Sequence, residues 1–245
     1  MIYLKLRTDS KLRKDGSEQV TPLIVTTPRK YSKNKKEKAL KRMSCQLITG
    51  AHDSGKTRWL LRLHSKHTEI WGSKDKACPV YISALTPLSA WYEHDYLIRW
   101  YNAQEEKRVL ADQEHIHRPW NKLSQQQRLD QLPIYITENK AMCFVDDAHK
   151  LTGRKSQLAR ECVILSKRWI ITALAENRLP PSLRTVVERR QPQRTQLESD
   201  VSYDATGLLT WFLIAAAFVA GWWELSLILG GLKMLGSGRR AARPD

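Results

Sequence analysis

Acidic residues are in short supply. Against 41 Lys and Arg, the 245-residue chain sets only 25 Asp and Glu, for a formal net charge of +16. That excess is well beyond what solubility requires and implies an acidic partner, either nucleic acid or anionic lipid head groups. Cysteine is scarcer still: there are four, Cys45, Cys78, Cys143 and Cys162, with no two at CxxC spacing. This excludes a cysteine-built zinc site and a disulfide framework, and fits a reducing cytoplasmic compartment. His115 and His117 form an isolated His-Ile-His without a second ligand pair, and read as ordinary polar surface. An apolar N-terminal signal is missing too, because charge interrupts Met1 to Arg13 every second or third residue. Internal repeats are not evident, and a chain of this length buries one principal core rather than two.

The positive charge is uneven. Residues 1–42 hold 13 Lys or Arg against four Asp or Glu, with the densest run at "RKYSKNKKEKALKRM", Arg29 to Met43. Residues 1–43 are therefore expected to be a basic, solvated and partly helical N-terminal extension, or a contact for nucleic acid or a lipid surface.

The C-terminus has the one long apolar run, "GLLTWFLIAAAFVAGWWELSLILGGLKML", from Gly207 to Leu235. About 20 helical residues cross a bilayer core, so a membrane helix is expected within 207–232. Trp211, Trp222 and Trp223 are its aromatic anchors, and Glu224 is an ionisable group that such a span tolerates only against another helix or a wet cavity. Arg189, Arg190 and Arg194 before the run and Lys233, Arg239, Arg240 and Arg243 after it leave orientation undecided.

Between these ends the pattern alternates between strand and helix. "SCQLITG" (Ser44–Gly50), "ACPVYISA" (Ala77–Ala84), "AMCFVDDAH" (Ala141–His149) and "RWIITAL" (Arg168–Leu174) each carry a short apolar strand. "KTRWLLRLHSKH" puts Trp59, Leu60 and Leu63 on one helical face. The polar stretch at about 87–132, with Trp91, Tyr92, Trp100, Tyr101 and Trp120, reads as a helical insert packed at the edge of the sheet and as a place for partner contacts. The alternation predicts an α/β three-layer sandwich around a parallel sheet in residues 44–190. A linker follows at 191–206, and a basic tail at 233–245 closes the chain.

Chemistry enters at Ile48–Trp59, "ITGAHDSGKTRW". Gly50, Ala51, His52, Asp53, Ser54, Gly55, Lys56 and Thr57 satisfy G-x-x-x-x-G-K-[ST] between an apolar strand and an amphipathic helix. Gly50 and Gly55 let the backbone curl so that successive N–H groups face phosphate oxygens. The helix N-terminus adds its positive end, Lys56 reaches the β- and γ-phosphates, and the Thr57 hydroxyl ligates magnesium. "MCFVDDAHKL" supplies the complement: after the apolar residues Met142–Val145, Asp146 is the expected metal carboxylate and Asp147 the acid that polarises the attacking water. "RWIITAL" is expected beside the phosphate-loop strand, with Thr172 placed to sense the γ-phosphate or orient water; Asn177 is the second candidate. A plain β-branched strand residue is the alternative for Thr172.

These motifs resemble the additional-strand class of P-loop ATPases, including AAA+ proteins. "FVDDAHKL" is similar to the DEAH-x-L acid motif of bacterial AAA ATPases that assist transposition or secretion, with Asp147 in place of the customary Glu. "TALAENRLPPSLR", Thr172–Arg184, resembles the AAA+ stretch in which an arginine reaches a neighbouring subunit's phosphate, which makes Arg184, Arg189 and Arg190 the finger candidates. The helical lid of that family is not expected after Arg184, because the apolar run begins within about twenty residues of it. A P-loop domain ahead of one membrane span is also similar to the filamentous-phage assembly ATPases of the zonula occludens toxin-like family, although those usually carry a sizeable domain beyond the span. What the resemblance implies is ATP and Mg2+ as ligands, a homo-oligomer, and an ATPase domain on the cytoplasmic side of an inner membrane. Two functions follow. One is a motor acting on DNA, or on a phage or secretion assembly. The other is a slowly hydrolysing switch that recruits a partner or nucleic acid to the membrane through the basic N-terminus and the aromatic insert.

Overall fold

A computed structural model describes residues 2–9, 18–27, 34–72, 77–111, 118–197, 212, 214–216 and 219–222. Residues 1–199 form one compact unit and residues 200–245 another.

The centre of the first unit is a five-stranded parallel sheet of β4 (Gln46–Gly50), β5 (Val80–Ser83), β6 (Cys143–Asp146), β7 (Trp169–Ala173) and β8 (Gln193–Leu197), in the order β5-β6-β7-β4-β8. Each strand has four or five residues. β6 and β7 are buried throughout, as expected where helices cover both faces of a parallel sheet. The strand expected beside the phosphate loop, β7, lies there, between β4 and the acid-bearing β6.

Alternation of side chains along each strand divides the interior in two. Leu47, Val80, Ile82, Cys143, Val145, Trp169, Ile171 and Ala173 face one cluster. It is covered by α3 (Ser89–Tyr92), α5 (Gln125–Asn139), α6 (Gly153–Leu165) and α7 (Pro181–Arg189). Ile48, Phe144 and Ile170 face the other cluster, with Trp59, Leu60 and Leu63 of α1 (Lys56–Ser65) and Ile70 of α2 (His67–Trp71). α4 (Asp95–Ala111) is a further helix of this unit. The aromatic residues of residues 87–132 pack inward: Trp91, Tyr92, Tyr101 and Trp120 all belong to the first cluster. α5 begins in a capping box, in which Ser124 Oγ accepts from the Gln127 N–H at 3.3 Å and Gln127 Oε1 accepts from the Ser124 N–H at 3.0 Å.

Two segments differ from expectation. The basic N-terminus is not partly helical where described, but an antiparallel sheet of β1 (Ile2–Thr8), β2 (Val20–Thr26) and β3 (Lys36–Ala39). In β1 the charges fall at strand period, so Leu4 joins the second cluster while Lys5 and Arg7 are exposed; β2, buried at Val20 and from Pro22 to Val25, adds Val20 and Ile24 to it. Lys5 and Glu37 pair across this sheet at 2.9 Å. The expected linker 191–206 contains β8, parallel to β4. Only Thr195 and Leu197 of β8 are buried, too faint an alternation to read as a strand in "QPQRTQLES".

The expected membrane segment, 207–232, falls mostly outside the described residues, as do His115, His117, Trp211, Trp223, Glu224 and the basic tail. Among the described residues no helix is long and apolar enough to cross a membrane.

Cys45, Cys143 and Cys162 are buried and Cys78 is exposed. Burial pushes the Cys143 thiol up to about 12 and raises Cys162 as well, and the thiolate is the reactive form. Iodoacetamide at neutral pH is therefore expected to label Cys78 and to spare the other three, with all four labelled in denaturant, as read by peptide mass spectrometry.

Candidate functional site

The carboxyl ends of β4, β5, β6 and β7 converge on the loop that enters α1. Gly50 ends β4 with almost no room. A Cβ there would lie 2.5 Å from the Leu197 carbonyl oxygen and 2.7 Å from Ser54 Oγ, so β8 and the loop can both close on it only as glycine. At the other end Gly55 caps α1 with φ 83°, a left-handed conformation that also favours glycine. No side chain caps the helix start, and its first turn holds no acidic residue. Ala51, His52 and Asp53 are exposed and Ser54 half-buried. The helix entrance thus offers uncapped backbone donors and a positive end.

Lys56 folds back across this loop. Its Nζ donates to the carbonyls of Gly50 at 2.8 Å and Ala51 at 2.6 Å, and it lies 3.5 Å from Ser54 Oγ. Burial pushes its ammonium down from the ordinary range, while Asp147, Asp146 and Asp53 draw it back up. An ammonium so held is a cation supported by carbonyl dipoles that a phosphate can replace.

Asp146 is the centre of the arrangement. It is buried, and because it follows Phe144 by two positions it shares the face covered by α1. Its Oδ1 accepts from the Thr172 hydroxyl at 2.6 Å and from the Thr57 hydroxyl at 3.3 Å; its Oδ2 accepts from the Tyr81 hydroxyl at 3.2 Å. Thr57 is the first-turn hydroxyl expected to share a metal with this carboxylate, and the structure brings the two together across 89 residues of sequence. A buried acid, an adjacent hydroxyl and the phosphate loop form an oxygen donor set that suits Mg2+, which takes one or two protein oxygens and completes its shell with water and phosphate. Among the described residues no His, Cys, Asp and Glu cluster of three or more offers an alternative metal site.

Thr172 is fully buried. It donates to Asp146, and its oxygen accepts the Asp147 N–H at 2.9 Å. Its one proton is committed to the Asp146 carboxylate, so it fixes one acid against the backbone of the next. Asn177 is exposed in a short 3-10 turn, Glu176–Arg178.

Asp147 leaves the strand in a left-handed conformation, φ 51° and ψ 41°. The turn it starts, Ala148–Lys150, brings Lys150 Nζ to 2.8 Å from its Oδ2. His149 points elsewhere: its Nδ1 accepts the Leu174 N–H at 3.3 Å, and its ring lies 6.5 Å from that of His52. Burial lowers the His149 imidazole below its ordinary range, which favours the neutral ring that this acceptor role requires.

The three arginine candidates are dispersed. Arg184 is exposed on α7 and pairs with Glu188 at 2.9 Å within that helix. Arg190 donates to the carbonyls of Ile164 at 2.8 Å and Ser166 at 3.0 Å, closing the C-terminal end of α6. Arg189 is exposed beside it. Arg194 grips both oxygens of Glu176 at 2.8 Å. Sequence reasoning missed Tyr81 and Lys150. Lys150, three residues after Asp147, was within reach of a turn argument, whereas Tyr81 depended on knowing the register of β5 against β6.

The five-stranded parallel sheet, with β7 between the phosphate-loop strand and the acid-bearing strand, is consistent with a P-loop NTPase fold. No protein-family model matches the chain, and no curated protein matches it. Among solved structures it is similar to Thermomonospora curvata EccC (ATPases 2 and 3) in complex with a signal sequence peptide, at 12% identity and a TM-score of 0.41. A second similar structure is the cytoplasmic domain of the Thermomonospora curvata type VII secretion ATPase EccC, at 13% identity and a TM-score of 0.37. The matches cover 79% and 75% of this chain but only 39% and 23% of those chains. The site is defined by its own distances.

Replacing Thr172 by Val keeps its shape but strips a partner from Asp146 and from the Asp147 N–H, both at a buried position. It is expected to cost about 1–3 kcal/mol in urea unfolding, while Thr172→Ser, which keeps the hydroxyl, recovers most of that loss.

Proposed function

We propose that the chain is a magnesium-dependent P-loop ATPase. The observation that carries this is the meeting of the Thr57 hydroxyl and the buried Asp146 carboxylate, 3.3 Å apart, at the mouth of a loop whose helix start is uncapped. When bound, the metal neutralises charge on the β- and γ-phosphate oxygens. The chain does the rest. The amides of Gly50–Thr57 surround the phosphates, and Lys56 trades the Gly50 and Ala51 carbonyls for phosphate oxygens. Thr57 and Asp146 hold the metal, and Thr172 keeps Asp146 and Asp147 in register. Asp147, once released by Lys150, polarises the attacking water. In this proposal the domain works as a homo-oligomer at the inner membrane, anchored by the apolar run at 207–232. Arg184 then serves a neighbouring copy, and the cargo is DNA or a phage or secretion assembly.

The Lys150–Asp147 contact favours a second reading, the slowly hydrolysing switch. An acid shorter than the customary Glu, and already paired at 2.8 Å, is poorly placed to orient water. In that case the bound state itself recruits the partner or nucleic acid.

Lys56→Ala is expected to abolish Mg2+-dependent ATP binding in a fluorescent-nucleotide titration. Asp147→Asn is expected to leave binding intact while lowering turnover by about 100-fold or more, the usual loss with a catalytic base. Turnover at background in the native chain, appearing in Lys150→Met, decides for the switch. Failure of the native chain to bind either ATP or GTP in the presence of Mg2+ overturns both.

A further inference from the structure

Tyr81 is the donor to Asp146 that no motif supplies. It lies on β5 opposite Phe144, with Ser83 opposite Asp146. A residue diagonal to its partner by two positions is within reach of a long side chain, and the phenol spans that gap to Oδ2 at 3.2 Å. Oδ2 is the oxygen that Thr57 and Thr172 do not use.

The ring is itself fixed. His64 of α1 meets it edge-on at 5.6 Å and meets Phe144 at 5.2 Å and 88°. The helix that carries Thr57 in its first turn thus clamps, two turns later, the residue that holds the other side of Asp146.

We propose that Tyr81 is a positioning residue for the metal site: it binds Oδ2 of Asp146 and thereby turns Oδ1 toward the Thr57 hydroxyl and the metal. This rests on the nucleotide reading above and deepens it. A carboxylate tethered through one oxygen presents the other as a single-oxygen ligand in a fixed direction. That suits a cation demanding near-ideal octahedral geometry. Without the phenol the carboxylate rotates about its last bond, and each productive arrangement costs more to select.

The test is a Mg2+ titration of full-length protein with a fluorescent non-hydrolysable ATP analogue, run on native chain, Tyr81→Phe and Tyr81→Met, with nucleotide binding in excess EDTA as the baseline. Both variants are expected to need about tenfold more Mg2+ for half-maximal enhancement, the low end of losses when a metal ligand's hydrogen-bond partner is removed, while the EDTA baseline is unchanged. A purely structural role would instead lower the baseline and the melting temperature together without moving the Mg2+ midpoint. A midpoint within twofold of native overturns the proposal, as does failure of both variants to fold, which would make Tyr81 a packing residue. Absence of any Mg2+ dependence in the native chain is a different failure, that of the nucleotide reading itself.

Discussion

One carboxylate organises this molecule. Asp146 is buried at the end of a strand with hydroxyl donors from three directions, Thr57, Thr172 and Tyr81. An ionised acid taken out of water at such a position is tolerable only when its lone pairs are satisfied. Each donor comes from a different element, so satisfying Asp146 requires the sheet order, the β5–β6 register and the seating of α1 to be right together. The parity of β6 does the first part: Phe144 and Asp146 share a face, so the strand that buries one presents the other to the phosphate-loop helix. The insertion of β7 between β4 and β6 does the second, because Thr172 then stands opposite Ile48 and next to the acids.

The electrostatics of the loop balance around the same point. Lys56 is buried deeply enough that its charge is disfavoured, and the carboxylates of Asp147, Asp146 and Asp53 offset that loss. Its ammonium spends its donors on the loop's own carbonyls. The first turn of α1 itself carries no acidic residue, so its backbone amides and positive end are suited to an anion. The glycines are the backbone's share of the cost: Gly50 admits β8 and the loop together, and Gly55 turns the chain into the helix.

What the sequence disclosed and what it withheld follow from range. The phosphate loop, the strand ending in Asp146, and the placing of Thr172 were legible because each is a local pattern whose chemistry dictates its spacing. The aromatic stretch at 87–132 was legible as helix but not as core; Trp91 and Trp120 help bury one face of the sheet, information that exists only once α3 and α5 have packed. β8 was hidden by its polarity, since one buried face of two residues leaves almost no periodic trace. The N-terminal sheet was hidden by the opposite error. Charges at every second or third position looked like interruption, although at strand period Lys5 and Arg7 are simply the outward face of β1 behind Leu4. Tyr81 was beyond sequence logic altogether, because its meeting with Asp146 depends on how two strands 60 residues apart are set against each other.

The two acids behind the phosphate loop end up in opposite circumstances, and the backbone explains why. Asp146 is still strand, so its carboxylate is aimed by the pleat at α1 and locked by hydroxyls. Asp147 has already turned left-handed, which throws its side chain off the strand and into the start of a tight turn closed by the Lys150 N–H to its own carbonyl at 2.8 Å. That closure is what delivers the Lys150 ammonium to the Asp147 carboxylate. The clasp is therefore a product of the turn rather than of a distant partner, and it comes with the motif wherever a lysine stands three residues on. Because Thr172 binds the Asp147 N–H and not its side chain, the backbone of the second acid is fixed while its carboxylate pairs with the exposed Lys150. Such a pair is individually weak. The first acid is thus held by three hydroxyls from separate elements, and the second by a lysine of its own turn.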